Sequence, residues 1–110
     1  MNKKIEFNYE GKDYTLEYDR KSIMVMEKNG LRVNEIESQP LSMIEILWQG
    51  AFLKNHKNEK ADKITDIYEH ISNKSDLNAG LISMFTETYT SLIGDAENQD
   101  DSKNIEWKMA

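Results

Sequence analysis

Two histidines come nearest to a catalytic or metal-binding pattern in this chain. His56 is followed by Glu59, and His70 is preceded by Asp66 and Glu69. A zinc site needs three or four converging ligands, and the two histidines fall on different predicted segments. The 110 residues include no cysteine, which excludes thiolate zinc sites, disulfides and a cysteine nucleophile. We therefore expect no metal site and no cofactor.

Three further patterns also fail to support a chemical site. The acidic residues after Asp95 partly match a calcium-binding loop, but Asp100 stands where that loop requires glycine. Gly11-Lys12 lacks the other glycines of a phosphate-binding loop. A run of lysines at three-residue spacing is interrupted by acidic residues and has no interleaved aromatic residue, and it comprises Lys54, Lys57, Lys60 and Lys63. Because the formal charge is −6, we expect no nucleic-acid binding. Because no catalytic constellation stands out, we expect no catalysis.

Alternating apolar residues near the amino terminus predict a β-hairpin. A two-residue turn at Gly11-Lys12 predicts three cross-strand pairs, Tyr9 with Tyr14, Phe7 with Leu16, and Ile5 with Tyr18. A lone hairpin is marginal in water, so helices or another chain must cover its apolar face. Two interpretations stay open: the hairpin covers a helical core, or one of its edges accepts a partner strand. For the second interpretation, Tyr9 and Tyr14 are candidate binding residues.

About four helices follow the hairpin. Asp19 is a suitable N-cap for a helix over residues 20–28, which Asn29-Gly30 ends. A loop over residues 31–39 is expected to bury Val33 and Ile36.

The next helix, residues 41–55, is the most apolar segment and is preceded by Pro40. Its apolar residues form two stripes, one from Leu41 to Phe52 and one from Met43 to Leu53, so we expect it to be central. Gly50 predicts close packing against a neighbour.

Two further amphipathic helices complete the predicted fold. One covers residues 60–72, and the other begins after a cap at Ser75 or Asp76 and ends at Gly94. The predicted fold class is α+β, with an N-terminal β-hairpin packed on a bundle of about four helices in a single domain over residues 1–94.

The C-terminal segment, residues 95–110, carries five acidic and two basic side chains. We expect most of it to be disordered. At its end, three apolar residues alternate with charged ones: Ile105, Trp107 and Met109. This pattern favours either a short strand that docks on the protein's own surface or a recognition segment that folds on a partner.

The order of these elements resembles a family of small phage proteins. The quoted stretches are YTLEYD at residues 14–19, MEKNG at 26–30, LWQGAF at 47–52 and NIEW at 104–107. Together they resemble proteins from the tail-morphogenesis region of siphophages and prophages of Gram-positive bacteria, similar to the tail assembly chaperones.

The resemblance implies a non-enzymatic role in the cytoplasm of the bacterial host. Such chaperones bind the hydrophobic, helical tape measure protein and help to recruit tail tube subunits. The implied partners are those two proteins, and a homo-oligomer is allowed. No membrane partner is expected, because no apolar run approaches the ~20 residues of a membrane span. Two alternatives stay open: a structural virion protein such as a tail connector or completion subunit, and a small protein-binding regulator from a mobile element.

Four methionines are candidates for a client-binding surface that can re-pack, and each is also a candidate for the core. They are Met24, Met26, Met43 and Met84.

Overall fold

The computed structural model describes residues 3–94 together with Glu106, Lys108 and Met109. It has the predicted α+β architecture, an antiparallel two-stranded hairpin followed by four α-helices. The elements are β1 (Ile5–Tyr9), β2 (Lys12–Leu16), α1 (Arg20–Lys28), α2 (Pro40–Ala51), α3 (Ala61–His70) and α4 (Lys74–Ile93). A short 3-10 helix, Val33–Glu35, lies between α1 and α2. The disorder predicted for the C-terminal segment concerns residues that lie almost entirely outside the described part.

The hairpin turn differs from the predicted one. Its central residues are Glu10 and Gly11, with φ angles of 54° and 82°, and not Gly11 and Lys12. Two positive φ angles are typical of a type I′ turn, whose twist matches that of the flanking strands. Glycine takes the second of these positions at no steric cost.

The strand register is therefore shifted by two residues. Phe7 lies opposite Tyr14, Ile5 opposite Leu16, and Tyr9 opposite Lys12. The predicted pairs were wrong, but a shift of two keeps every side chain on its predicted face, because strand side chains alternate with period two. The apolar face was consequently predicted correctly.

Helix α1 begins and ends as the sequence predicts. The Asp19 carboxylate accepts a hydrogen bond from the Ser22 N–H (2.8 Å), and the Ser22 hydroxyl accepts one from the Asp19 N–H (2.8 Å). This reciprocal capping box satisfies two donors at the helix start. Gly30, with a φ of 106°, follows the C-cap.

Helix α2 lies at the centre of the fold, with Leu47, Trp48 and Ala51 fully buried. A Cβ atom at Gly50 would overlap the Met26 side chain, so the predicted close packing is confirmed. The helix ends at Ala51, four residues earlier than predicted. The turns that follow bring residues 55–56 beside β2.

A single core joins the hairpin to all four helices. Two buried polar groups are satisfied within it: the Tyr18 hydroxyl donates to the Leu47 carbonyl oxygen (2.6 Å), and the Trp48 Nε1 donates to the Ile64 carbonyl oxygen (2.8 Å). Because burial disfavours the phenolate, the pKa of Tyr18 is raised well above its usual range.

Some predicted burial and capping is wrong. Val33 is 45% exposed and Leu41 is 89% exposed, because both lie on the outward side of the segment that enters α2. Helix α4 begins after Asn73, which has left-handed backbone, and not after Ser75 or Asp76. Gly94 ends it as predicted.

Of the four candidate methionines, three lie in the core and only Met24 is substantially exposed. None of the described helices has a stretch that is long and apolar enough to cross a membrane.

Candidate protein-binding site

Tyr14 lies in the core and not on a binding surface. It is only 2% exposed, its ring stacks on Phe7 at 5.1 Å, and it meets Phe52 edge-on at 5.7 Å. The register shift is the physical reason, because it places Tyr14 opposite Phe7 in the middle of the covered face. Tyr14 is therefore removed from the candidate binding residues.

Tyr9 lies at the rim of the hairpin and is half-buried. Its hydroxyl donates to the Asp66 carboxylate (3.1 Å), and the Lys63 ammonium lies 5.0 Å from its ring centroid. Desolvation and the bond to Asp66 raise the pKa of Tyr9.

The candidate residues at the chain end are only partly placed by the structure. Ile105 and Trp107 lie outside the described residues. Met109 is described and is 83% exposed. Glu106 and Lys108 are exposed as well.

The outer edge of β2, here called the β2 edge, is covered by the protein itself. The Thr15 N–H donates to His56 Nε2 (3.0 Å), and the Asn55 side-chain amide donates to the Thr15 carbonyl oxygen (3.0 Å). The Glu17 N–H donates to the Ala51 carbonyl oxygen (3.3 Å). These contacts satisfy the outward-pointing N–H and carbonyl groups of Thr15 and the N–H of Glu17, through which another strand would bind.

His56 must be neutral at Nε2 to make this contact, because it accepts a hydrogen bond there. Its ring also packs 4.9 Å from the ring of Tyr14. His70 lies on the other side of the molecule, with Nδ1 2.9 Å from the Asp66 carbonyl oxygen. Among residues 3–94, 106, 108 and 109, no three His, Asp or Glu side chains are grouped to hold a metal ion.

The outer edge of β1, here called the β1 edge, is different. Thr15 lies opposite Glu6, and its backbone groups point outward, so those of Glu6 and Asn8 point outward on the other side of the hairpin. In the described part of the chain, no group makes a hydrogen bond to these backbone atoms. The β1 edge can therefore accept a strand.

A shallow cavity of about 250 Å³ runs along the core side of the β1 edge. Its lining includes Phe7 and Tyr9 from β1, Ile67 and His70 from α3, and Ile71 just after α3. A strand added to the β1 edge would project every second side chain into this cavity, whose lining also includes the polar side chains of Asn8 and Ser72.

A second apolar surface lies between α1 and α2. The α1–α2 groove has a volume of about 290 Å³, and its apolar lining includes Val25, Met26, Ile46 and Leu53. Val25 is 40% exposed, and Ile46 and Leu53 are half-buried. The rim is polar and carries both signs of charge: Glu45, His56, Lys57 and Glu59. Grooves of this kind bind one face of an amphipathic helix.

The other side of α2 borders a smaller apolar hollow of about 280 Å³ next to α3 and α4. Ile44, Trp48 and Tyr68 contribute to its lining, and the exposed Leu41 stands at its edge. Glu45 lines both this hollow and the α1–α2 groove. Helix α2 therefore presents an apolar outer face that a single acidic side chain divides.

Two of the four lysines in the run, Lys54 and Lys63, form separate ion pairs. Lys54 binds Glu17 at 3.1 Å and Lys63 binds Glu10, while neighbouring Lys12 binds Glu59 at 3.0 Å. The bonds from Asn55 and Lys54 hold the pKa of Glu17 below its usual value of 4.5. These pairs attach the hairpin to the helical layer.

Sequence reasoning missed the α1–α2 groove. It assigned Ile46 and Leu53 to a second buried stripe, and it gave Val25 no role. The sequence offered no signal that separates the two, because an apolar pattern around most of a helix predicts burial and does not distinguish a core contact from a surface groove.

The fold defines a small α+β protein in which a hairpin covers a four-helix layer. A family model described as "Domain of unknown function (DUF5055)" matches residues 1–110. The chain belongs to this DUF5055 family. No curated protein and no solved structure matches it.

Proposed function

We propose that this protein is a phage tail assembly chaperone that acts in the host cytoplasm. In this proposal it binds the tape measure protein, helps to recruit tail tube subunits and catalyses no reaction. The order of sequence elements supports the proposal through its resemblance to such chaperones. A formal charge of −6 would help to keep a crowded assembly soluble.

The α1–α2 groove is the observation that carries the proposal. A chaperone for an apolar helical client needs an exposed apolar surface that can receive one face of a helix. Val25, Ile46 and Leu53 supply that surface, and the flexible Met24 side chain beside Val25 on α1 is exposed. The mixed charges on the rim allow polar contacts along both sides of a bound helix.

Co-expression with a fragment of a tape measure protein from the same phage genome tests the proposal. The expected result is a larger soluble fraction of the fragment and its co-purification with this protein. Val25→Glu should lower the recovered fragment by about tenfold or more, because a charge would be buried in the interface without a partner.

Val33→Glu is a matched control for this experiment. Val33 is 45% exposed, close to the 40% of Val25, but it lies outside the α1–α2 groove. Co-purification that is lost equally in both variants would contradict the proposed groove. Failure of the unaltered protein to retain the fragment would contradict the chaperone function. If mass spectrometry detects this protein in purified virions, a structural virion protein would be favoured instead.

A further inference from the structure

The β1 edge and the end of the chain have matching properties. We propose that the β1 edge binds residues 105–109 of a second copy of this chain as an added antiparallel strand. The β1 edge offers outward-pointing backbone groups at Glu6 and Asn8 over a five-residue strand. Residues 105–109 supply five residues that alternate between apolar and charged, as a strand on a half-buried sheet requires.

Charge selects one register for this pairing. With Trp107 opposite Phe7, Lys108 lies opposite Glu6 and Glu106 opposite Asn8. A shift by two residues in one direction sets Glu106 against Glu6 and Lys108 against Lys4. Like charges directly opposite each other are unfavourable, and opposite charges are favourable.

The apolar side chains agree with the same register. Ile105, Trp107 and Met109 then lie opposite Tyr9, Phe7 and Ile5, respectively. All three point to the core side of the sheet, where the cavity beside Ile67 and Ile71 is open. The largest of them, Trp107, falls at the centre of the strand.

The described residues at the chain end favour a second copy as the occupant, because a Met109 side chain seated on its own β1 edge would be buried. Met109 is 83% exposed, and Glu106 and Lys108 are exposed too. Binding of an end to the edge of the next copy is head-to-tail, so it generates rings or chains of copies.

Sedimentation of the full chain over a concentration series tests this pairing. The mean mass should rise with concentration, and Trp107→Glu should leave the protein monomeric. Ser102→Glu is the matched control, since it adds the same charge outside residues 105–109, and it should associate like the unaltered chain.

Charge exchange tests the register. Lys108→Glu and Glu6→Lys should each weaken association by about fivefold, and the double variant should recover most of the loss. A synthetic peptide of residues 104–110, added in excess, should return the unaltered protein to the monomer.

Three outcomes would overturn the inference. The first is a monomer at every concentration up to about 1 mM, the weak end of specific association. The second is association that Trp107→Glu leaves intact, which would place the interface elsewhere. The third is a monomer whose Glu6 and Asn8 amides are protected from exchange until Trp107 is replaced, which would make the occupant the chain's own end.

Discussion

The two edges of the hairpin have opposite surroundings. On the β2 edge, the Thr15 N–H donates to His56, the Thr15 carbonyl oxygen accepts from Asn55, and the Glu17 N–H donates to Ala51, so these three groups have partners within the chain. The β1 edge lies beside a cavity, and its outward-pointing groups at Glu6 and Asn8 have no partner in the described part of the chain. A two-stranded sheet always has two such edges, and within the described residues only the β2 edge makes backbone hydrogen bonds to other parts of the chain.

The difference has a structural cause in α2. This helix ends at Ala51, and the turns after it bring Asn55 and His56 against β2. A helix that continued to residue 55, as its apolar pattern predicts, would carry these side chains away from the strand. The early end of α2 therefore covers the β2 edge and leaves the β1 edge as the place where another strand can bind.

Replacing the facing residues of the two strands should give the largest difference. Leu16 on β2 is fully buried, whereas Ile5 on β1 is half-buried. Leu16→Ala should lower the free energy of unfolding by about 2–5 kcal/mol, and Ile5→Ala by about 1–2 kcal/mol, because less surface is buried at Ile5. Urea denaturation measures both, and equal losses would show that β1 is as deeply integrated as β2.

Removing the contact that covers the β2 edge should have an intermediate effect. His56→Ala leaves the Thr15 N–H without its partner and removes the ring that packs on Tyr14, so we expect a loss of about 1–3 kcal/mol. His70→Ala is the matched control beside β1. His70 is exposed, and its replacement should change the free energy of unfolding by less than about 0.5 kcal/mol in thermal or chemical denaturation. A His56→Ala variant as stable as His70→Ala would mean that the β2 edge needs no such cover.

The smallest expected effect is on the stability of the fold at acid pH, and it depends on Glu17, whose N–H helps to cover the β2 edge. Asn55 and Lys54 lower the pKa of Glu17 in the folded protein, so ionised Glu17 stabilises the fold above the ordinary carboxyl value of 4.5. This contribution is lost as the pH falls from 4.5 through the lower folded pKa. Glu17→Gln should therefore reduce stability at pH 7 and flatten its fall in acid.

Glu6→Gln on the β1 edge is the control for that experiment. Glu6 is exposed, and its replacement should shift the melting temperature little at pH 7. An acid profile of Glu17→Gln that coincides with that of the unaltered protein would contradict the assigned role of Glu17.

The fold class and most element boundaries could be predicted because local patterns determine them. The capping box at Asp19, the first-turn position of Pro40 and the buried contact of Gly50 each depend on neighbouring residues or on one apolar stripe. The strand register could not be predicted with equal certainty. A shift by two preserves the apolar face, and only the turn conformation at Glu10-Gly11 decides between the alternatives.

The candidate site was less accessible from the sequence, because its features depend on contacts between distant residues. The hydrogen bonds that cover the β2 edge join Thr15 to Asn55 and His56, which follow it by 40 and 41 positions in the chain. Tyr14 and Tyr9 alternate in the same pattern, yet one lies in the core and the other at the rim. The alternation of Ile105, Trp107 and Met109 is visible in the sequence, but a strand pattern does not identify its partner.

Amide hydrogen exchange in dilute protein tests the difference between the two edges most directly. The amides of Thr15 and Glu17 point outward from β2, and those of Glu6 and Asn8 point outward from β1. The expected result is slow exchange at Thr15 and Glu17 and fast exchange at Glu6 and Asn8, because only the first pair has acceptors in the part of the chain that the structure describes. Equal rates at all four amides, or slower exchange at Glu6 and Asn8 than at Thr15 and Glu17, would contradict a covered β2 edge and an open β1 edge.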